Sequence, residues 1–461
     1  MNKKLLLLTF CLFIYAITYG QPHRNIFSRQ DVQADLKTLH EVLPQAHVDP
    51  FAYTQEETFD AIYERLQEEV QQDSLSLKEA HLILQPLVSS LNNGHTEIDF
   101  PKEAYIAYAQ GGGTLFPLEI VFEEGKYLVR ENHSSDPTMK VGEEVTHING
   151  RSMDDILVAI YPQSSAERTY FKHAKIELYT FPRYYWLVFG EEASFEIKIR
   201  HADTVRIHTV AAVEVIEGFE RKHQAILNAQ MKCYFIDSTA YLNPGNFSGD
   251  FEKYQQFIDS SFSVINKAGS ENLILDFRNN GGGNDDFSDY LISYIADQPF
   301  YWCSRYRIKT SDWLKAHVRK YNDTTGHFFQ EILDRQSGEV YTFAFDPYAP
   351  QDQDRRFKGN VYVLVNRQSH SQSTVAAAQI QDYQWGTIVG EETGEYATLY
   401  ASQFQVELPR TGLIVSVSKA QMVRINGDAT PKGVIPDIIV KDHLLDEQDE
   451  ILDTLLVRLK E

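Results

Sequence analysis

Cysteine is nearly absent: there are three in 461 residues, and Cys11 falls inside an N-terminal apolar run. Cys233 and Cys303 can form one disulfide at most, so no disulfide framework holds this chain, and the sequence leaves their pairing open. Basic residues are also short, with 43 Lys plus Arg against 65 Asp plus Glu and a formal charge of -22. No Lys/Arg run supplies the concentrated positive face that phosphate neutralisation needs, which argues against a nucleic-acid partner and against an anionic membrane surface. No apolar stretch reaches the roughly 18 residues of a transmembrane helix. His-Glu-x-x-His spacing, Cys/His clusters and a Gly-x-Ser-x-Gly elbow are all missing. A zinc enzyme is therefore not expected, and an α/β-hydrolase is not indicated.

Apolar and aromatic residues are plentiful, at 43% and 12%. They exclude disorder as the dominant state and allow two or three domains at roughly 150 residues each. Lys3 and Lys4 precede the uncharged apolar run Leu5 to Ile17, and Thr18-Tyr19-Gly20 offers small residues for cleavage. Residues 1–20 therefore read as a signal peptide, and the product is expected to be secreted or periplasmic, without stable membrane insertion once the signal is removed. Cys11 lacks the small residues that precede a lipidated cysteine. Losing the two lysines takes the net charge to -24.

Residues 21–110 read as helices. Ser28-x-x-Asp31, Thr54-x-x-Glu57 and Ser76-x-x-Glu79 are capping signatures, each before apolar residues at helical spacing. Asn92-Asn93-Gly94 then signals a turn. Past the joint Gly111-Gly112-Gly113 the period becomes strand-like, and residues 111–215 are expected to form a β-rich domain. Residues 216–461 alternate strands and helices, as in an α/β layer with its loops at the carboxyl ends of the strands. Residues 300–359 look like an insertion or cap.

Two loops carry chemistry. In the first, Leu273-Ile274-Leu275 leads through Asp276-Phe277-Arg278-Asn279-Asn280 into Gly281-Gly282-Gly283. Asp285 and Asp286 follow where a phosphate loop needs Lys and Ser/Thr, so the glycines read either as an oxyanion hole or as a tight turn. In the second, Ser369-His370-Ser371-Gln372-Ser373 lies at a strand-to-helix turn, where free N–H groups favour negative charge. Ser373 alone would be an ordinary N-cap.

Together these runs resemble the carboxy-terminal processing (tail-specific) protease and tricorn-core family of serine peptidases. So do Asn366-Arg367-Gln368-Ser369, Ile388-Val389-Gly390-Glu391-Glu392-Thr393-Gly394 and the closing Gly433-Val434-Ile435-Pro436-Asp437. Asn93-Gly94-His95-Thr96 is similar to the Asp-Gly-His-Thr segment of the histidine-using tricorn-like branch. Ile148-Asn149-Gly150 resembles the signature of the family's PDZ-like module. The resemblance implies a ClpP/crotonase-like α/β core, an N-terminal helical domain carrying His95 and a β-rich PDZ-like domain.

By position, Ser371 matches the family's nucleophile, and the Gln372 N–H with the Gly282 and Gly283 backbone matches the oxyanion donors. The lysine base of many members falls at Tyr396, so the histidine branch is implied, with His95 as base. Thr374 stands where the family has a glutamate. Asp428 and Glu391 are the candidates for a supporting acid. The implied reaction is hydrolysis of a peptide or protein substrate through an acyl-enzyme, with no metal and no organic cofactor required. The alternative is a catalytically degraded relative that binds a hydrophobic ligand or a peptide. Gly113-Thr114-Leu115-Phe116 reads either as a carboxylate-binding loop of the PDZ-like module or as a joint between domains.

Overall fold

The computed structural model describes residues 26–179, 181–202, 204–215 and 230–461. The expected signal peptide lies outside the described residues. Capping boxes form at two of the three predicted positions: Ser28 with Asp31 opens the helix Arg29–Ala46, and Ser76 with Glu79 opens Leu77–Ser89. The second helix, Glu56–Glu69, starts after Gln55, and no side chain caps it.

The core sheet has six strands that add in chain order: Lys232–Ile236, Thr239–Asn243, Asn272–Asp276, Asn360–Val365, Thr387–Gly390 and Ile438–Ile439. The first pair is antiparallel and the rest are parallel. Short apolar runs such as Leu273-Ile274-Leu275 are fully buried, as the strands of a parallel sheet covered on both faces must be. The helices Phe251–Ala268 and Gln372–Asp382 pack their apolar residues against it, in one core with Leu273 and Val363. This mixed α/β architecture places two loops side by side at the carboxyl ends of neighbouring strands: residues 277–284 after Asp276 and residues 366–371 after Val365.

A second, antiparallel sheet joins Val340–Phe343, Arg305–Lys309, Ile414–Val423 and Leu399–Glu407. The segment read as an insertion thus contributes two strands and packs into the molecule. The N-terminal helices bury Leu36, Leu39 and Leu84 in the same hydrophobic cluster as Val415 and Val417 of this sheet. The short strand Glu97–Ile98 adds to the same strand, with Ile98 opposite Val415. That pairing fixes where residue 95 sits.

Between these parts lies an antiparallel sheet built from Leu118–Glu123, Lys126–Asn132, Glu144–Ile148, Ser194–His201 and Thr204–Ala211. Its core includes Phe116, Ile120, Val145 and Ile197. Gly113–Phe116 is occupied within this region. Thr114 N–H donates to the Tyr108 hydroxyl (2.8 Å), Leu115 pairs with Val213, and Phe116 is buried. Those amides serve the chain itself, which is the joint reading of the loop.

The central sheet is tied to the core by one buried cation. Arg367 is 3% exposed and reaches Glu177 (2.7 Å), Glu391 (2.9 Å) and Glu123 (3.0 Å), all nearly as buried. Burial pushes Glu391 up to about 7 even with the guanidinium beside it. Arg367→Leu would leave Glu177 and Glu391 buried without their cation, while Glu123 keeps Lys441. It should cost roughly 3–5 kcal/mol of stability, read as a lower urea midpoint.

Candidate active site

His95 sits at the end of a tightly specified turn. Asn92 takes a left-handed φ of 51°, and Thr96 N–H donates to Asn93 O (3.1 Å). The Asn93 amide is buried and fully engaged: Nδ2 donates to Tyr400 O (2.9 Å), while Oδ1 accepts from Thr96 Oγ1 and Ser418 Oγ (both 2.7 Å). Gly94 N–H donates to Glu167 Oε1 (2.7 Å). A side chain at Gly94 would press on Phe171 at 2.8 Å, which is why glycine stands there.

Ser371 has φ 57° and ψ −130°, a rare conformation for a residue with a Cβ. It precedes the helix Gln372–Asp382, while its flanks are pinned. Ser369 Oγ donates to Phe277 O (2.7 Å), and Ser373 Oγ donates to Asn280 O (2.7 Å). Ser369 and Ser373 therefore hold the turn, and Ser371 is the serine of the cluster that the turn thrusts outward at partial exposure.

Glu395 joins the two. Its side chain is fully buried; Oε2 accepts from Ser371 N–H (2.5 Å), and Oε1 lies 2.9 Å from His95 Nε2. The second approach is off the line of a good N–H···O bond and is foremost an ion-pair contact. Burial is the largest influence on His95 and would lower its pKa, but the charge and direct contact of Glu395 and the charge of Glu167 together outweigh it, and the net shift is upward. Burial would raise Glu395, yet His95 and the Ser371 amide hold it below the usual carboxylate value. Burial and the neighbouring Glu395 charge push Glu167 up to about 7. Burial lowers His370 despite the same carboxylate.

The loop that carries Glu395 is clamped from outside. Arg168 donates to Thr393 O (2.7 Å) and Gly394 O (3.0 Å), and Tyr170 OH donates to Glu392 O (3.0 Å). The closing Gly433-Val434 segment grips the same turn: Val434 N–H donates to Thr393 Oγ1 (2.9 Å). Tyr396, at the position where a lysine would stand, packs edge-on to Tyr53.

In the glycine loop, Gly282 (φ 84°) and Gly283 (φ 142°) both need the freedom of glycine. Gly282 N–H is already committed to Asn280 Oδ1 (2.8 Å). Its backbone lies against the Ser371–Gln372 peptide, where an added Cβ would stand 2.5 Å from Gln372 N.

The structure thus brings His95, Ser371, Gln372 and the Gly282–Gly283 backbone to one place. The two acids singled out in the sequence lie elsewhere. Asp428 is bound to Thr430 N–H (2.9 Å) and Lys432 (3.0 Å), and Glu391 belongs to the Arg367 cluster. The carboxylate at His95 is Glu395, which sequence reasoning missed. It stands immediately before Tyr396, four residues beyond Glu391, and its only sequence signal was that adjacency.

Gly282→Ala should force the Ser371 turn to move and cost on the order of 1–3 kcal/mol, from overpacking and the positive φ together. A fall in thermal midpoint with unchanged far-UV circular dichroism checks it.

Residues 238–440 match the model of peptidase family S41. A tail-specific protease of Haemophilus influenzae is 33% identical over 112 residues, which cover 22% of this chain and 16% of that protein. The match therefore spans about a sixth of that relative's length. Mature CPAF complexed with lactacystin superposes with a TM-score of 0.66 at 17% identity, over 94% of this chain and 98% of that one. A second structure of mature CPAF gives 0.65 at 16% identity, over 94% and 96% of the two chains. At such identity these structures speak for the fold, and the sequence match speaks for the core. Residues 238–440 are thus similar to peptidase family S41, and the solved structures share the fold of the whole chain.

Proposed function

We propose that the protein is a serine peptidase in which Ser371 attacks a peptide carbonyl and His95 takes its proton. The observation that carries this reading is the single carboxylate, Glu395, that holds both the Ser371 amide and the His95 ring. A buried glutamate there fixes the imidazole and stabilises the imidazolium formed when the serine is deprotonated. Gly282 N–H is taken by Asn280, so the amides of Gly283 and Gln372 are the oxyanion donors. His95 then protonates the leaving amine, and water releases the acyl group. The His95–Glu395 pair beside the strained serine supports catalysis over a degraded ligand-binding relative, because strain alone would also suit a ligand clamp whereas a paired histidine is what proton transfer needs.

The central sheet of residues 111–215 is assigned to a PDZ-like module that receives peptide substrates, with the N-terminal helical segment 21–110 presenting His95. Export by the leader at residues 1–20 places the activity outside the cytoplasm. The net acidity of the chain fits neither a nucleic-acid nor an anionic-membrane partner.

Ser371→Ala should abolish peptide hydrolysis and labelling by a fluorophosphonate while leaving the thermal midpoint within about 1 kcal/mol of wild type. Labelling of the variant at full strength would remove Ser371 from the nucleophile role.

The pH profile carries the second test. A histidine whose pKa is raised stays protonated, and idle as a base, to higher pH. The acidic limb of kcat/KM should therefore centre above 6.5. Glu395→Gln removes the strongest of the influences that lift it and leaves burial opposed only by the Glu167 charge. The residual activity should then show its limb at lower pH, with a rate reduced by about 10²- to 10⁴-fold. A limb that stays in place in Glu395→Gln would overturn the pairing.

A further inference from the structure

We infer that the central sheet carries a divalent transition-metal site, formed by Glu119, Glu131 and His133 and suited to Zn2+. Nothing in the peptidase reading requires it, and the two stand or fall separately.

The strands Leu118–Glu123 and Lys126–Asn132 form an antiparallel hairpin in which Glu119 lies directly opposite Glu131. The chain stays paired one step beyond, where His133 N–H donates to Pro117 O (2.9 Å). Residues two apart on a strand share a face, so Glu131 and His133 project together and Glu119 meets them from the partner strand. One donor atom from each lies within 4.8 Å of the other two.

The spacing is too wide for good hydrogen bonds and close to what a metal needs. His133 Nε2 is 3.4 Å from Glu131 Oε2 and 3.7 Å from Glu119 Oε1. Donors placed at roughly 2.0–2.2 Å around a tetrahedral Zn2+ stand about 3.3–3.6 Å from one another.

Glu119 supplies the independent sign. Its side chain is 5% exposed, and no hydrogen bond reaches the buried Oε1, which faces the imidazole. A buried carboxylate oxygen left in this state is costly unless a cation satisfies it. Two carboxylates balance a doubly charged ion, and the mixed oxygen and nitrogen donors suit zinc better than calcium or magnesium. Glu131 is the more open of the three at 33% exposure, so the ion's entry and a water as fourth ligand belong on that side. A second group, His443, Asp446 and Glu450, has comparable donor spacing but lies more in solvent, with side-chain exposures of 42%, 56% and 19%. It serves as the comparison.

The test is Zn2+ titration of the full chain, freed of metal with a chelator, by calorimetry and by thermal denaturation. The expected result is one Zn2+ per chain with a Kd of roughly 1 µM or tighter and a rise in thermal midpoint. Co2+ in its place should give the visible absorption of a four-coordinate site. His133→Ala and Glu119→Gln should each weaken binding by at least about tenfold, whereas His443→Ala should leave it unchanged. Glu119→Gln should also raise the midpoint of the metal-free protein, because it removes the buried charge. That readout survives if His133→Ala folds poorly. Absence of binding tighter than about 100 µM would overturn the assignment. So would affinity unchanged in both hairpin variants, or affinity lost in His443→Ala.

Discussion

The Glu395 carboxylate has no exposure to water, and a buried anion must be met by donors or positive charge. The two groups that meet it come from far apart in the chain: the imidazole of residue 95 and the amide of residue 371. Neither could be placed by its own local sequence. His95 is fixed because the strand Glu97–Ile98 adds to the antiparallel sheet, and Ser371 is fixed because the turn after Asn360–Val365 is pinned by Ser369 and Ser373. The requirement of one carboxylate thus couples the N-terminal helices, the antiparallel sheet and the parallel core.

A second layer, drawn from the central region, holds the first in place. Glu167 takes the Gly94 amide, Arg168 takes two carbonyls of the Glu395 loop, and Lys175 reaches Ser165 O and Glu97. Two residues further along the same helix, Glu177 pairs with Arg367, four residues before the serine. One short stretch of chain, residues 165–177, therefore touches the histidine turn, the glutamate loop and the serine loop. Its contacts are charged or made to backbone, so they fix position as well as distance.

What the sequence made legible was what local chemistry decides. Capping boxes at Ser28 and Ser76, the buried run Leu273 to Leu275 and the strand-to-helix turn at Ser371 each follow from a few adjacent residues. The missing lysine at position 396 directed attention to His95. The supporting acid was not legible, because Glu391 and Glu395 occupy the same short loop and differ only in which way the backbone turns them. That turn is set by Arg168, Tyr170 and Val434, which lie about 220 residues upstream or 40 downstream. Asp428 failed as a candidate for a local reason, since Thr430 and Lys432 saturate it. Gly282 shows the limit of motif reasoning at atomic scale, as the glycine is needed but its N–H is already used by Asn280.

The electrostatics of the pocket explain why a histidine suits this site where a lysine is absent. Glu395 and Glu167 lie close enough that each raises the cost of ionising the other, and Glu167 yields, holding its proton up to about 7. Glu395 then remains the single firm negative charge beside His95, while His370 nearby is kept neutral by burial. An imidazolium is favoured there, so His95 keeps its proton to higher pH than an unperturbed imidazole would. A lysine beside the same carboxylate would be drawn two ways, burial favouring the neutral amine and the carboxylate the ammonium. Tyr396 in its place adds no charge, and its ring packs edge-on against Tyr53. The charge states of His95, Glu167 and Glu395 are thus set together by burial and by one another.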